Sequence, residues 1–307
     1  MINFGITVLL GIALGVGAFS ALSSSTPSVG FPLSIGETAG EGEAYIAPIS
    51  PPDYLPIRNF DVTEPVIVAR AALLVDGKSG RVLFSKNTDQ RLPIASITKL
   101  MTAMIVIDHL DLSAIYTATA EDMNVDGNGA DFHVGEKILG KDLLKIMLVQ
   151  SSNDAAMIFA HARPGFLDLM NSRAQNLNME NTHFNDPAGL DDHATYSTAS
   201  DVVKLVSAAN KYPLIADTLR LARADVRSAD GMQLHHVIST NKLLSSLAGI
   251  IIGKTGNTDG ARGTMALEVK ANEKNDTLIA VILGSEDRFA EMKKLIDWGI
   301  YAHKWSE

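Results

Sequence analysis

Ser96 and Lys99 stand three residues apart, Ser151 and Asn153 two apart, and Lys254-Thr255-Gly256 form an unbroken run further on. A serine hydroxyl is a poor nucleophile until a base removes its proton. On a helix, positions i and i+3 share a face, roughly 5–6 Å apart at Cβ, so Lys99 can reach the Ser96 hydroxyl. A lysine serves as that base only when burial or a second cation lowers its proton affinity. Ile97, Leu100 and Met101 supply apolar neighbours, and Lys254 is a candidate second cation. A serine at a helix N-terminus also brings backbone N–H groups and the positive dipole end to a developing oxyanion. Ser151 offers a second hydroxyl to relay a proton to a departing amine. Asn153 can hold Lys99 and donate to an amide carbonyl. The three words, in this order and spaced 55 and then 103 residues between first letters, indicate acyl transfer through a serine ester with a lysine base.

Other chemistries find little support. There is no cysteine, which excludes disulfides, thiol catalysis and thiolate-bound metals. Eight histidines include no His-Glu-x-x-His, and His235-His236 are adjacent, so no metal site is expected. No Gly-x-Ser-x-Gly elbow marks a Ser-His-Asp triad, and no phosphate-binding loop occurs. The net charge is −9 without any basic run, which argues against nucleic acid as a partner.

The elements that must position these residues follow from periodicity. Residues 71–76 and 81–85 are short apolar runs around Gly77-Lys78-Ser79-Gly80, a hairpin signal. The spacing predicts a buried central helix over 96–110 and further helices over 141–150, 154–162, 170–177, 200–209 and 287–303. Residues 249–253, 264–270 and 277–284 read as strands. Two strands before residue 90 and three after 248 thus flank a mostly helical middle, giving an antiparallel sheet built from both ends of the chain and covered by helices.

Ahead of this domain, residues 2–22 are uncharged and mostly apolar, and at about 1.5 Å per residue they reach roughly the 30 Å of a bilayer core. They read equally as a membrane anchor or as a signal peptide cleaved near Ala18-Phe19-Ser20. Residues 23–65 are rich in Ser, Pro and Gly, with six acidic residues against Arg58 alone, and read as an extended tether. Residues 66–307 are then the catalytic domain.

The words lie in longer contexts: Leu92-Pro93-Ile94-Ala95-Ser96-Ile97-Thr98-Lys99, Ser151-Ser152-Asn153-Asp154-Ala155-Ala156, Asn185-Asp186-Pro187-Ala188-Gly189-Leu190-Asp191 and Gly253-Lys254-Thr255-Gly256-Asn257-Thr258. Over residues 66–303 the chain resembles the D-alanyl-D-alanine carboxypeptidases among the low-molecular-mass penicillin-binding proteins. The resemblance implies an α+β fold of the β-lactamase/DD-peptidase type: a five-stranded antiparallel sheet flanked by helices, plus an all-helical subdomain. Common members add a C-terminal β-rich domain and tail anchor, which a chain ending at Glu307 is expected to lack.

The activity implied is removal of the terminal D-Ala from peptidoglycan stem peptides outside the cytoplasmic membrane, without metal or organic cofactor. β-Lactams would acylate the same serine. Ser96, Lys99 and Ser151 would be catalytic. Asn153, Lys254, Thr255, Gly256, Asn257 and Arg288 would bind substrate. Here Lys254 and Thr255 suit a terminal carboxylate and Gly256 admits substrate backbone. By the same resemblance the Asn257 N–H would join that of Ser96 in the oxyanion hole, and Arg288 matches a family arginine near the carboxylate. Two positions depart from the usual pattern: Ser152 stands where glycine is common, and Asn257 where an aromatic or histidine is. The same machinery would suit a D,D-endopeptidase cutting cross-links, or a slow penicillin-binding sensor. A β-lactamase is disfavoured by the lack of a Glu-x-x-Leu-Asn word.

Overall fold

The structure, a computed structural model, describes residues 56–191 and 194–305. The apolar segment 2–22 and most of the tether lie outside the described residues. Among the described residues no helix is long and apolar enough to cross a membrane.

In chain order the elements are β1 (Ile57–Arg58), β2 (Ala71–Asp76), β3 (Val82–Lys86), a 3-10 turn (Ala95–Thr98), α1 (Lys99–His109), β4 (Ile115–Thr117), α2 (Ala120–Met123), β5 (Lys137–Leu139), α3 (Gly140–Val149), α4 (Asn153–His161), α5 (Phe166–Asn176), α6 (Ala199–Ala209), α7 (Pro213–Leu219), β6 (Arg223–Arg227), β7 (Leu234–Ile238), a second 3-10 turn (Lys242–Ser245), β8 (Ile250–Thr258), β9 (Arg262–Lys270), β10 (Thr277–Ser285), α8 (Arg288–Ala302) and β11 (His303–Lys304).

The central sheet runs β3-β2-β10-β9-β8 and every pairing is antiparallel. Strands from the two ends of the chain therefore meet at its middle, where Ala280 pairs with Leu74. Side chains alternate between faces along a strand, and both faces are covered. Leu73, Val75, Ile279 and Val281 join the core that includes α1 and α6. Leu74, Leu278, Ala280 and Ile282 join the core beneath α8, with Met292, Leu295, Ile296 and Trp298. This double covering explains why the strands read as continuous apolar runs. Residues 57–58, within the segment read as tether, pair with β11, and the Arg58 guanidinium stacks 4.7 Å from the Trp298 ring.

Helix α1 is buried from Lys99 through Val106 without a polar face, as a central helix must be. Three features differ from the sequence reading. The expected helix over 96–110 begins as the 3-10 turn carrying Ser96, and becomes α-helical only at Lys99. The strand expected over 249–253 continues to Thr258, because the ladder with β9 holds polar residues that periodicity does not mark. The middle of the chain also contains two hairpins, β4–β5 and β6–β7, among its helices. In β6–β7 only Val226 and Val237 are buried, too faint an alternation to register.

Candidate active site

Ser96 and Lys99 are i and i+3 across the 3-10 turn, where such positions eclipse one another. The geometry places Lys99 Nζ 2.8 Å from Ser96 Oγ. The ammonium nitrogen also donates to Asn153 Oδ1 at 2.6 Å and to the Ala188 carbonyl at 2.7 Å. Lys99 is wholly buried. Burial pulls its proton affinity down from 10.5 to about 7, against the opposing pull of Asp186 and Asp154. The expectation that Lys254 is the second cation behind this shift needs amending, since desolvation dominates. The two ammonium groups repel one another, and the proton affinity of Lys254 is lowered well below the usual lysine value first by burial, then by Lys99 and Arg288.

Lys254 comes from the edge strand β8 and donates to Ser151 Oγ at 2.7 Å and to the Thr255 carbonyl at 2.9 Å. Ser151 is the residue before the N-cap of α4 and has φ +66, a left-handed conformation that costs a non-glycine residue about 1–3 kcal/mol. Ala95, directly before Ser96, has φ +48. Two strained residues thus sit at the chemistry, Ser151 bearing one hydroxyl and Ala95 directly preceding the other. Ser152, by contrast, has φ −64 and ψ 130, and its hydroxyl caps α4 by accepting from Ala155 N at 3.0 Å. The backbone at this position makes no demand for glycine, so the departure at Ser152 leaves the loop undistorted.

Asn153 splits its amide between two tasks. Its Oδ1 holds Lys99, and its Nδ2 donates to the Asp126 carbonyl at 2.6 Å, leaving one N–H for another acceptor. Its backbone N–H donates to the Asn128 carbonyl at 2.7 Å, so the loop 126–128 is fastened to the site at two points. Ser96, Asn153 and Asn257 line one cleft of about 430 Å³ with Asp126, Leu190 and Asp259. Thr255 is buried with its Oγ1 2.6 Å from Thr240 Oγ1. Arg288 donates to Asn257 Oδ1 at 3.1 Å and lies 4.6 Å from the Phe289 ring centre.

Gly256 also has a packing role. A Cβ there would lie 2.8 Å from both Ser96 N and Ala95 Cβ, and 2.5 Å from Thr264 Oγ1. The missing side chain lets β8 press against the 3-10 turn, and the space is filled by protein. Thr264 Oγ1 pins the same turn by donating to the Ile94 carbonyl at 3.0 Å.

Of the nine residues singled out from sequence, Ser96, Asn153 and Asn257 line this cleft; Lys99 and Arg288 hydrogen-bond to them, Gly256 packs against Ser96, Ser151 and Lys254 bond to one another, and Thr255 bonds Thr240. Sequence reasoning missed Thr240, the carbonyls of Ala188 and Asp126, and the carboxylates of Asp154 and Asp186. The turn-rich word 185–191 was the available signal for Ala188 and Asp186. The carbonyls could not have been found, since every residue carries one.

A sheet of this order beside a covering helical half, with a buried lysine on a serine hydroxyl, defines a serine acyl-transfer peptidase of the DD-peptidase class. The sequence pattern of the D-alanyl-D-alanine carboxypeptidase family, Peptidase S11, matches residues 58–287, and the chain belongs to this family. It is 33% identical over 240 residues to the D-alanyl-D-alanine endopeptidase of Pseudomonas aeruginosa, covering 76% of this chain and 77% of that one. It is 30% identical over 242 residues to the D-alanyl-D-alanine carboxypeptidase DacF of Bacillus subtilis, covering 75% of this chain and 61% of the relative. Among solved structures, the Streptomyces K15 DD-transpeptidase superposes with a TM-score of 0.72 at 28% identity, covering 78% of this chain and all of that one.

Proposed function

We propose that the chain is a serine-type D-Ala-D-Ala carboxypeptidase acting on peptidoglycan stem peptides. The observation that carries the reading is the buried Lys99 Nζ, 2.8 Å from Ser96 Oγ and poised between its two protonation states near neutral pH. In the proposed cycle neutral Lys99 takes the Ser96 proton as Oγ bonds to the penultimate D-Ala carbonyl carbon. The N–H groups of Ser96 and Asn257 receive the oxyanion. The C–N bond then breaks, and the departing D-Ala nitrogen gains a proton passed from Lys99 by way of Ser151 and Lys254. Water attacks the acyl-serine and gives a proton to Lys99, which passes it to Ser96 Oγ as the acyl C–Oγ bond breaks, releasing the shortened peptide with the Ser96 hydroxyl and neutral Lys99 restored.

Substrate would run along β8, whose outer edge has no strand beside it among the described residues, pairing backbone to backbone. Lys254, Thr255 and Arg288 would take the terminal carboxylate, and the free N–H of Asn153 a substrate carbonyl. A penicillin would enter by the same route and stay as an ester on Ser96. Such an enzyme works on the wall side of the cytoplasmic membrane, secreted or held there by residues 2–22.

The similarity to a named endopeptidase supports a second reading, cleavage of D,D cross-links by the same residues. Incubating the full chain with uncross-linked pentapeptide muropeptides and with cross-linked dimers separates the two. Conversion of pentapeptide to tetrapeptide with intact dimers supports the carboxypeptidase. Dimer cleavage with untouched pentapeptide overturns it in favour of the endopeptidase.

A further inference from the structure

The turn after Phe184 is built around one carboxylate. Asp186 Oδ1 accepts from the backbone N–H of Ala188 at 2.7 Å and of Gly189 at 2.6 Å. Its Oδ2 accepts from Leu190 N and from Thr195 Oγ1, both at 3.1 Å. Four donors on two oxygens require a carboxylate, because an amide has only one accepting oxygen. The turn so formed is fixed to α1 at two points one helical step apart: the Pro187 carbonyl takes Thr102 Oγ1 at 2.6 Å, and the Ala188 carbonyl takes Lys99 Nζ at 2.7 Å. On its far side Gly189, at φ +85, lies so close to the Ala95 carbonyl that a Cβ could not fit. The turn therefore touches Lys99 and the residue before Ser96 together.

We propose that Asp186 is a positioning residue for the acylation step: it holds the Ala188 carbonyl against Lys99 Nζ and places a negative charge beside it. This rests on Ser96 and Lys99 acting as proposed above. The charged groups acting on Lys99 from its surroundings are Asp186 in this turn and Asp154 in α4, with Lys254 on β8, itself under the influence of Arg288, repelling it. Asp154 is tied to α4 and to Ala130 N, at 2.8 Å, so its position does not depend on the turn. Of the two carboxylates, Asp186 alone supplies both a charge and the carbonyl contact. Burial raises its own proton affinity against those four hydrogen bonds, so the site holds a carboxylate that is costly to desolvate.

The test is the rate of Ser96 acylation by a fluorescent penicillin as a function of pH, on the full chain and on its Asp186→Asn and Asp186→Glu variants. Asn removes the charge and one accepting oxygen. Its acid midpoint should move down by about one pH unit, the lower end of what a nearby opposite charge produces. Its plateau rate should fall by roughly tenfold or more as the carbonyl contact loosens. Glu keeps the charge but not the reach, so it should lose plateau rate with the midpoint near that of the native chain. An Asn variant with an unmoved midpoint overturns the inference. Should Asn fail to fold, a Glu variant with the native plateau overturns it equally. A native chain that takes up no penicillin instead defeats the acyl-serine reading on which the inference stands.

Discussion

Replacing Gly256 by Ala isolates how closely β8 must approach the turn that carries Ser96. The added Cβ would sit 2.8 Å from Ser96 N and Ala95 Cβ and 2.5 Å from Thr264 Oγ1. Ordinary contacts for such atoms lie at about 3.5–4.0 Å, so strand and turn must part by roughly 0.7–1 Å. Flexible side chains cannot absorb this, since Ser96 N is backbone and Thr264 is held to the Ile94 carbonyl. Overpacking of this kind costs about 1–3 kcal/mol, which for a domain of this size lowers Tm by roughly 2–12 °C. The functional loss should be greater than the stability loss implies. Asn257 follows Gly256 directly, and its N–H is proposed to share the oxyanion with Ser96 N. A misplacement of about 1 Å can cost roughly a hundredfold in rate. Thermal melting and penicillin acylation of Gly256→Ala, run side by side at a temperature where the variant is folded, measure both effects. A variant that melts and acylates like the native chain would refute the close-packing argument and the oxyanion pairing with it.

Three further outcomes follow from the structure. Acylation should rise with pH through a midpoint at about 7, as Lys99 loses its proton; roughly tenfold less neutral lysine exists at pH 6 than at pH 8, so a flat rate between them would exclude Lys99 as the base. Because its folded value lies below 10.5, the unfolded chain binds more protons between about 7 and 10.5, and Lys99 makes stability increase with pH through that window. At Ser152, substitution by Ala should cost about 1 kcal/mol through loss of the α4 cap and by Gly a few tenths, with acylation by the Gly variant within about twofold of native; a large gain in rate on restoring glycine would contradict the relaxed backbone seen there.

The sheet and the central helix were legible because burial on both faces leaves a residue-type record. Ala71–Asp76 and Thr277–Ser285 are apolar at nearly every position, and each alternate residue enters a different core. The β6–β7 hairpin left no such record, with one buried valine on each strand. In the site, side chains that carry the proposed chemistry could be named from spacing alone, since Ser-x-x-Lys is a statement about one helical face. What holds them could not. Lys99 is seated by a backbone carbonyl from residue 188, and Asn153 by carbonyls from 126 and 128, contacts that no residue type announces. The packing role of Gly256 was illegible for a related reason, since a missing Cβ shows that something comes close but not what. Ser151, not Ser152, carries the left-handed backbone, a distinction of one residue that only coordinates can make.

Release of free D-Ala from diacetyl-Lys-D-Ala-D-Ala by the full chain, beside its Ser96→Ala variant, tests the central claim most directly. Steady release by the native chain that disappears in the variant is the outcome the account requires. Release that persists in Ser96→Ala, or none from a native chain that also takes up no penicillin, would contradict it.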